Sequence, residues 1–402
     1  MKVVVVGAGV AGCIVARALS RLPGVEVICL ERVVADDHSE SGTGLNIGPN
    51  GLKALKHHSP ELADAVLASS FLWHSWRTSL TDGTVLFDLP LDKVADNPGI
   101  RIRWSELYRV LRAAAGDCVR FDCELTKVGY TDPEHSFVEY TRKGVTERID
   151  GIDLLISADG RYSLTRQTLC GPLEVRHVGV CILRLLVPNT SGGLVEDYEQ
   201  WFNGPNRMLG FRVPEDHIYV SGAFPIDATK PVPDAAKSSE ALRQYFTPPD
   251  RPPSEQCAWL INTLCSNGDG IHWSRLQESS TIFRDPGGRV LFVGDSANGM
   301  VPTLGQGATQ AIEGACLVAD LLCARIKAGG TMGGNAADVP AWVAEVEELR
   351  RDRVQFVMEF SLAATDTMLA GADPVAGTKK KLERPFMEKL ERLYRDISVF
   401  KA

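Results

Sequence analysis

The sequence predicts an α/β fold in which a parallel, nucleotide-type sheet carries an inserted antiparallel-sheet domain and is followed by C-terminal helices. Three observations predict it. The opening residues read strand, glycine turn, helix, strand, acid. A central stretch, Glu174 to Ile226, alternates in strand fashion with no intervening helical rhythm, which marks an antiparallel sheet. Late in the chain, Gly288 to Ala315 returns to a strand, a glycine-rich loop and a helix start.

Each element follows from its residues. Lys2 to Val6 is an apolar run of parallel-strand type, Gly7 to Gly12 a tight turn, Val10 to Leu22 a helix, and Val25 to Leu30 the next strand, closed by Glu31. Gly7, Gly9 and Gly12 stand in GxGxxG spacing, with Val10 and Ala11 inside the turn and the acid 19 residues after the last glycine. This is a Rossmann-like fingerprint: the first glycine makes the turn, the second admits a pyrophosphate, and the third lets helix and strand pack closely. Glu31, with Arg32 beside it, suits the two hydroxyls of an adenosine ribose and would repel a 2′-phosphate. The fingerprint points to an ADP-containing dinucleotide and does not choose between FAD and NAD.

A second loop, with Gly42, Gly44, Gly48 and Gly51, leads into a helix for which Asn50 is the expected N-cap. Asn46 within it offers an amide to a ring or a bound substrate. Phe71 to Pro90 alternates around Asp82–Gly83 and reads as a hairpin. Arg101 and Arg103 sit on a short strand before a helix, Trp104 to Ala115; Val119 to Asp132 and Phe137 to Glu147 follow as strands. Asp153 to Ala158 is an apolar strand broken by Asp159–Gly160, with Ser163 and Arg166 opening a helix.

Beyond the antiparallel region, Thr229 to Pro253 is proline-rich around a short helix, Ser239 to Phe246, and Trp259 to Asp269 is helical. Arg289 to Val293 is a strand cut off by Gly294–Asp295. A small-residue loop then feeds a long helix from near Gln306, whose unpaired N–H groups suit an anionic or electron-rich ligand. Pro340 to Met368 and Pro385 to Ile397 are amphipathic helices, and Lys379, Lys380 and Lys381 open a charged helix as a solvated face. The resulting division is a discontinuous nucleotide-binding domain (1–72, 101–173 and 281–335), a substrate domain (73–100 and 174–280) and a C-terminal helical segment (336–402).

Composition agrees with a globular chain of two connected domains. Of 402 residues, 44% are hydrophobic and 23% charged. The net charge of -8 leaves no footprint for nucleic acid or an acidic membrane surface. Ten cysteines, with no CxxC pair and no histidine at zinc spacing, read as reduced core thiols in a cytoplasmic protein without a metal site. No run of 18 apolar residues is present to span a membrane. The valine strand directly after Lys2 lacks the longer apolar region of a signal peptide. Expected partners are small molecules, with a homodimer left open.

Side by side, the three glycine segments resemble the single-component flavoprotein aromatic hydroxylases of the para-hydroxybenzoate hydroxylase fold, most nearly those acting on hydroxylated pyridine or benzoate rings, such as 6-hydroxynicotinate 3-monooxygenase. The family's GxGxxG with a distal acid is matched by Gly7, Gly9, Gly12 and Glu31. Its DGxxSxxR run is matched by Asp159, Gly160, Ser163 and Arg166. Its GD run continuing to a GQGA-type helix start is matched by Gly294, Asp295, Pro302, Gly305, Gln306, Gly307 and Ala308. The resemblance covers nearly the whole chain.

What it implies is a Rossmann-like FAD-binding domain with an inserted antiparallel-sheet substrate domain. FAD would be held tightly and non-covalently, its pyrophosphate on the first turn, Glu31 at the adenosine ribose, Asp295 at the ribityl or pyrophosphate end, and Gln306 to Ala308 near the flavin ring. Arg32, Arg103, Leu125 and Asp159 are implied as further cofactor contacts. With no second GxGxxG, NAD(P)H is implied as a transient co-substrate. The chain departs from the family in three places: GDSANG replaces GDAAHP, Arg103 falls one position ahead of the family's helix-start arginine and leaves Trp104 there, and Asn46 stands where similar pyridine hydroxylases place a His.

The implied activity is hydroxylation of a small, already hydroxylated aromatic or N-heteroaromatic acid, using NAD(P)H and O2 through a flavin peroxide. The protein must hold the ring in line and keep water away. Asn46 and Pro302 are expected at the ring, His217 or Tyr219 as base, and Arg184 for a substrate carboxylate. The alternatives are ring opening, epoxidation or halogenation by a related flavoenzyme, and a non-catalytic binder on the same scaffold. Halogenation is disfavoured because its Trp-x-Trp-x-Ile-Pro signature is missing.

Overall fold

The structure is a computed structural model that describes residues 1–35, 43–329 and 333–400. Gly42 of the second loop lies outside the described residues. A five-stranded parallel sheet runs in the order Val290–Phe292, Leu154–Ser157, Lys2–Val6, Glu26–Leu30, Val119–Arg120. Its strands are apolar on both faces because both faces are covered. Val3 and Val5 pack with Ile14, Leu19, Leu107 and Ile312 from the helices Val10–Leu19, Trp104–Ala115 and Gln306–Ala328. Val4 and Val6 face the other way, onto Val128, Val138 and Tyr140 of a three-stranded antiparallel sheet formed by Glu124–Asp132, His135–Arg142 and Val145–Ile152.

The single strand expected from Val119 to Asp132 is two. Asp122 takes φ 60°, and the chain turns there from the parallel sheet into the three-stranded one.

A seven-stranded sheet runs in the order His272–Ser279, Val175–Pro188, His217–Pro225, Asn206–Val213, Glu199–Asn203, Ser75–Leu80, Val85–Pro90. Every pairing is antiparallel except that of Glu199–Asn203 with Ser75–Leu80. One face packs Leu183, Leu185, Met208 and Val220 against Leu242, Phe246, Leu260 and Leu264 of the helices Ser239–Phe246 and Glu255–Ser266. The other face looks toward the parallel-sheet half. The edge strand His272–Ser279 escapes the sequence reading because only two of its eight residues are buried.

Two local expectations are corrected. Asn50 is not the cap of its helix: Gly48 holds that position and Pro49 the first helical one, which carries Asn50 into the buried first turn of Pro49–His58. The three lysines do not open a helix but close one, Pro374–Lys381. Lys381 is buried there, with Nζ bonded to the Ala364 carbonyl and Thr367 Oγ1 and paired with Asp366 at 3.1 Å. The chain continues from the long helix Val339–Ala363 to a last helix, Arg384–Arg395.

Candidate active site

The first turn divides its glycines between structure and opening. Gly7 has φ +98°, and a Cβ there would lie 2.4 Å from the Ala158 carbonyl oxygen; a Cβ on Gly12 would lie 1.9 Å from that of Gly7. Backbone closes both positions to any side chain. Around Gly9 nothing lies within 4 Å of the Cβ position, and the residue opens onto a cavity. Glu31 ends the adjacent strand and is buried. It accepts hydrogen bonds from the Ala8 N–H (2.8 Å) and the Val33 N–H (3.2 Å) and pairs with Arg112 at 3.4 Å. With Gly7, Arg32, Leu125 and Asp159 it lines a cavity of about 660 Å3.

The second motif is stapled to the third. The Asp159 carboxylate accepts from Ser157 Oγ (2.5 Å) and from Thr165 N (3.3 Å) and Oγ1 (3.2 Å), which fixes the turn after strand Leu154–Ser157. Ser163 caps the next helix by accepting from the Arg166 N–H at 3.0 Å. The buried Arg166 guanidinium then donates to the carbonyls of Ser296 (3.0 Å), Ala297 (3.2 Å) and Ser280, and to the Ser280 hydroxyl (2.9 Å). Ser296 Oγ returns the link to the Ser157 carbonyl at 2.6 Å.

Gly160 and Gly307, like Gly9, have nothing within 4 Å of a Cβ position. A second cavity of about 360 Å3, lined by Gly9, Val10, Ala11, Gly160, Gly294, Asp295, Pro302, Gly307 and Ala308, shares Gly9, Tyr108, Ala158 and Gly160 with the first. The two form a trough with one open glycine from each motif along it. Asp295 lies beside Arg161, Oδ2 to Nε 3.8 Å; burial raises its pKa and Arg161 opposes the rise.

The far end of the cavity is walled by aromatic rings. Tyr394 of the last helix, Trp73, Tyr198, Phe211 and Tyr219 line it in a chain of ring contacts, with successive centroids 6.4, 5.2, 6.0 and 5.0 Å apart. Arg207 and Arg184 reach the same space from one face of the seven-stranded sheet. Arg184 donates to Ser274 Oγ at 3.1 Å. Arg207 is 6% exposed, and among the described residues its guanidinium has no hydrogen-bond partner and no carboxylate. Burial lowers its pKa, although a guanidinium stays charged at neutral pH. The hydroxyls of Tyr198 and Tyr219 are likewise without a hydrogen-bond partner among the described residues, and burial raises the Tyr198 pKa while Arg207 lowers it.

No protein-family model matches the chain. It is 29% identical over 375 residues to a 3-amino-4-hydroxybenzoate 2-monooxygenase of Streptomyces platensis, spanning 89% of this chain and 85% of that protein. It is 28% identical over 343 residues to the 6-hydroxynicotinate 3-monooxygenase of Pseudomonas fluorescens, spanning 80% and 82%. Its fold matches the crystal structure of Klebsiella pneumoniae HpxO complexed with FAD and uric acid at a TM-score of 0.75 with 21% identity, over 98% of this chain and 93% of that one. The chain is similar in sequence to FAD-dependent aromatic monooxygenases.

The trough fits the cofactor of these monooxygenases. Its open glycines leave a backbone cradle, and Glu31 stands at one end as an acceptor. Most residues singled out from the sequence line the two cavities, including Asn46, Arg184, Tyr219 and Pro302. Gly12 holds the first turn together without reaching either lining.

Three others are placed elsewhere. Gln306 is fully buried with its amide turned inward, Oε1 accepting from Asn50 (3.1 Å) and Gln310 (3.2 Å), so only its neighbours reach the cavity. Arg103 pairs with Glu215, and His217 Nδ1 lies 2.7 Å from the Glu215 carbonyl, both outside the cavity lining. Burial, then the Arg103 charge, lowers the His217 pKa.

The family departures have physical counterparts. The register that moves Arg103 away leaves Trp104 facing the cavity, its ring 5.2 Å from that of Tyr108. Gly299 is packed so that a Cβ would lie 2.9 Å from Ser279 Oγ, which also accepts the Gly299 N–H. Asn46 presents an amide with neither atom hydrogen-bonded among the described residues.

Sequence reasoning missed Arg207, Tyr198, Trp73, Trp104, Tyr108 and Tyr394. The sign for Arg207 was a cation sharing the inward face of an alternating strand with Leu209 and Phe211. Tyr394 carried no sign, since a buried aromatic on an amphipathic helix reads as core.

Proposed function

We propose that this chain is an FAD-dependent monooxygenase that hydroxylates a small, already hydroxylated aromatic or N-heteroaromatic acid, with NAD(P)H and O2 as co-substrates. The observation that carries the reading is Arg207, a buried cation without a counter-ion in an aromatic-walled cavity that shares Gly9, Tyr108, Ala158 and Gly160 with the cavity lined by Glu31. Such a group calls for an anionic ligand, and the rings around it for a flat one. The names of two relatives, a 3-amino-4-hydroxybenzoate 2-monooxygenase and a 6-hydroxynicotinate 3-monooxygenase, describe hydroxylated ring acids of that kind.

Bound FAD would supply the electron transfer and oxygen activation. The open glycines Gly9, Gly160 and Gly307 would let backbone approach it, with Glu31 holding the ribose end. Arg207 and Arg184 would hold the substrate carboxylate, and the unpartnered Tyr219 hydroxyl would accept a hydrogen bond from the ring hydroxyl and so orient it. The rings of Trp73, Tyr198, Phe211 and Tyr394 would keep water from the reacting face.

The test is a visible spectrum of the purified protein followed by a survey of hydroxylated benzoates and pyridines for stimulated NAD(P)H oxidation in air. Expected are flavin bands and a product heavier by one oxygen atom. A colourless protein with no affinity for FAD, or silence across the survey, overturns the reading.

A further inference from the structure

A buried carboxylate ties the walls of the cavity to the C-terminal segment. Glu313, two turns into helix Gln306–Ala328, is fully buried. Its Oε1 accepts from Arg350 Nη1 (2.9 Å), Arg353 Nε (3.0 Å) and the Ser398 N–H (3.2 Å). Its Oε2 accepts from Gln310 Nε2 (2.9 Å), Asn50 Nδ2 (3.0 Å) and Arg353 Nη2 (3.2 Å).

Two of these donors, Asn50 and Arg353, lead on to different walls. Asn50 also donates to Gln306 Oε1, in the segment that carries Pro302 and Gly307, and the Gly48 N–H two residues before it donates to Thr309 Oγ1 at 2.9 Å. A Cβ on Gly51 would lie 3.0 Å from Thr309 Cγ2, so the turn that follows Asn46 is pressed onto the same helix. Arg353 donates to the carbonyls of Arg392 (3.2 Å), Leu393 (2.7 Å) and Asp396 (2.7 Å). It therefore caps the negative end of helix Arg384–Arg395, the helix that carries Tyr394 into the cavity.

Charge explains why one carboxylate serves as the hub. Arg350 and Arg353 lie on one helix, the first buried and the second half-buried; without an anion between them they would repel each other where screening by water is poor. None of Glu313, Asn50, Arg350 and Arg353 lines the cavity.

We infer that Glu313 is a positioning residue for the active site: it sets the spacing of the Asn46 strand, the Pro302–Ala308 segment and the Tyr394 helix by clamping the C-terminal segment to the first turns of helix Gln306–Ala328. The inference rests on the monooxygenase reading for what the cavity holds, and not for the clamp itself.

The experiment compares the full-length wild type with Glu313→Gln, Glu313→Asp and Arg353→Met, reading FAD affinity by fluorescence quenching and hydrogen exchange in residues 44–50, 302–308 and 388–396. Expected for E313Q is a folded protein whose FAD Kd rises about tenfold, with exchange quickening in all three segments together. E313D, which keeps the charge, should recover part of both effects. An FAD Kd within about twofold of wild type, or exchange that quickens in residues 388–396 alone, overturns the clamp. Should E313Q fail to fold, R353M carries the test, since it leaves Glu313 paired with Arg350: the same three segments should loosen, and loosening of the C-terminal one alone overturns the inference. A wild type that binds no FAD would sink the monooxygenase reading, while the exchange pattern would still decide the clamp.

Discussion

Taking a guanidinium out of water without a counter-ion costs several kcal/mol, and Arg207 is held in that state by its strand. Lys381 lies close enough to add repulsion, since the Arg207 charge helps burial to lower the lysine's pKa. Replacing Arg207 with Met keeps the bulk and removes the charge. Its expected result is a ligand-free protein with a higher unfolding midpoint and an affinity for the aromatic acid weaker by about 2–5 kcal/mol. Calorimetric melting and a binding titration check both, and unchanged affinity would remove Arg207 from the site. The glycines of the first turn separate in the same way. Gly9→Ala meets no atom within 4 Å and should fold but lose FAD, whereas Gly7→Ala, at φ +98° and 2.4 Å from a carbonyl oxygen, should fail to fold. Soluble yield and FAD retention of the two variants tell the cases apart.

Elements are held in register by single polar side chains that bridge distant turns. Arg166 is the clearest case, because its donors satisfy three carbonyls belonging to the third motif and the segment before it. Arg166→Met should cost about 1–3 kcal/mol for the acceptors left unpaired and weaken FAD binding at the same time. Urea unfolding and FAD titration measure the two, and a stability loss with intact FAD affinity would show that the third turn stays in place unaided.

The elements themselves were mostly legible. The helices Trp104–Ala115 and Ser239–Phe246 fall where their apolar spacing put them. Asn50 was misread because local chemistry makes it a good cap, while the helix starts two residues earlier, at Pro49, and the amide finds Glu313. His272–Ser279 was missed because an edge strand with two buried residues has no alternation to read.

Across the whole molecule, stability should carry a pH signature from the Glu313 hub. Burial pushes this carboxyl's pKa up, but Arg350 and Arg353 outweigh it and bring it down to about 2 from 4.5. A folded-state pKa below the unfolded one contributes stability that is complete above the unfolded value and is lost as pH falls through the folded one. Glu313→Gln should therefore have a lower urea midpoint than wild type at neutral pH, with the gap closing as the pH is lowered from 4.5 toward 2. A gap independent of pH would mean that the carboxylate's charge contributes nothing.

At this scale the three glycine motifs announced the cofactor side of the site, since backbone turns are written in local sequence. The substrate side was hidden, because its wall is assembled from strands and a helix hundreds of residues apart, and only the closed fold shows which aromatic faces which. Tyr394 makes this concrete. During translation the three glycine turns, the last of them ending at Ala308, leave the ribosome before residue 394 does, so for a time the nascent protein has its turns outside while one wall of the aromatic end and the clamp behind it are still missing.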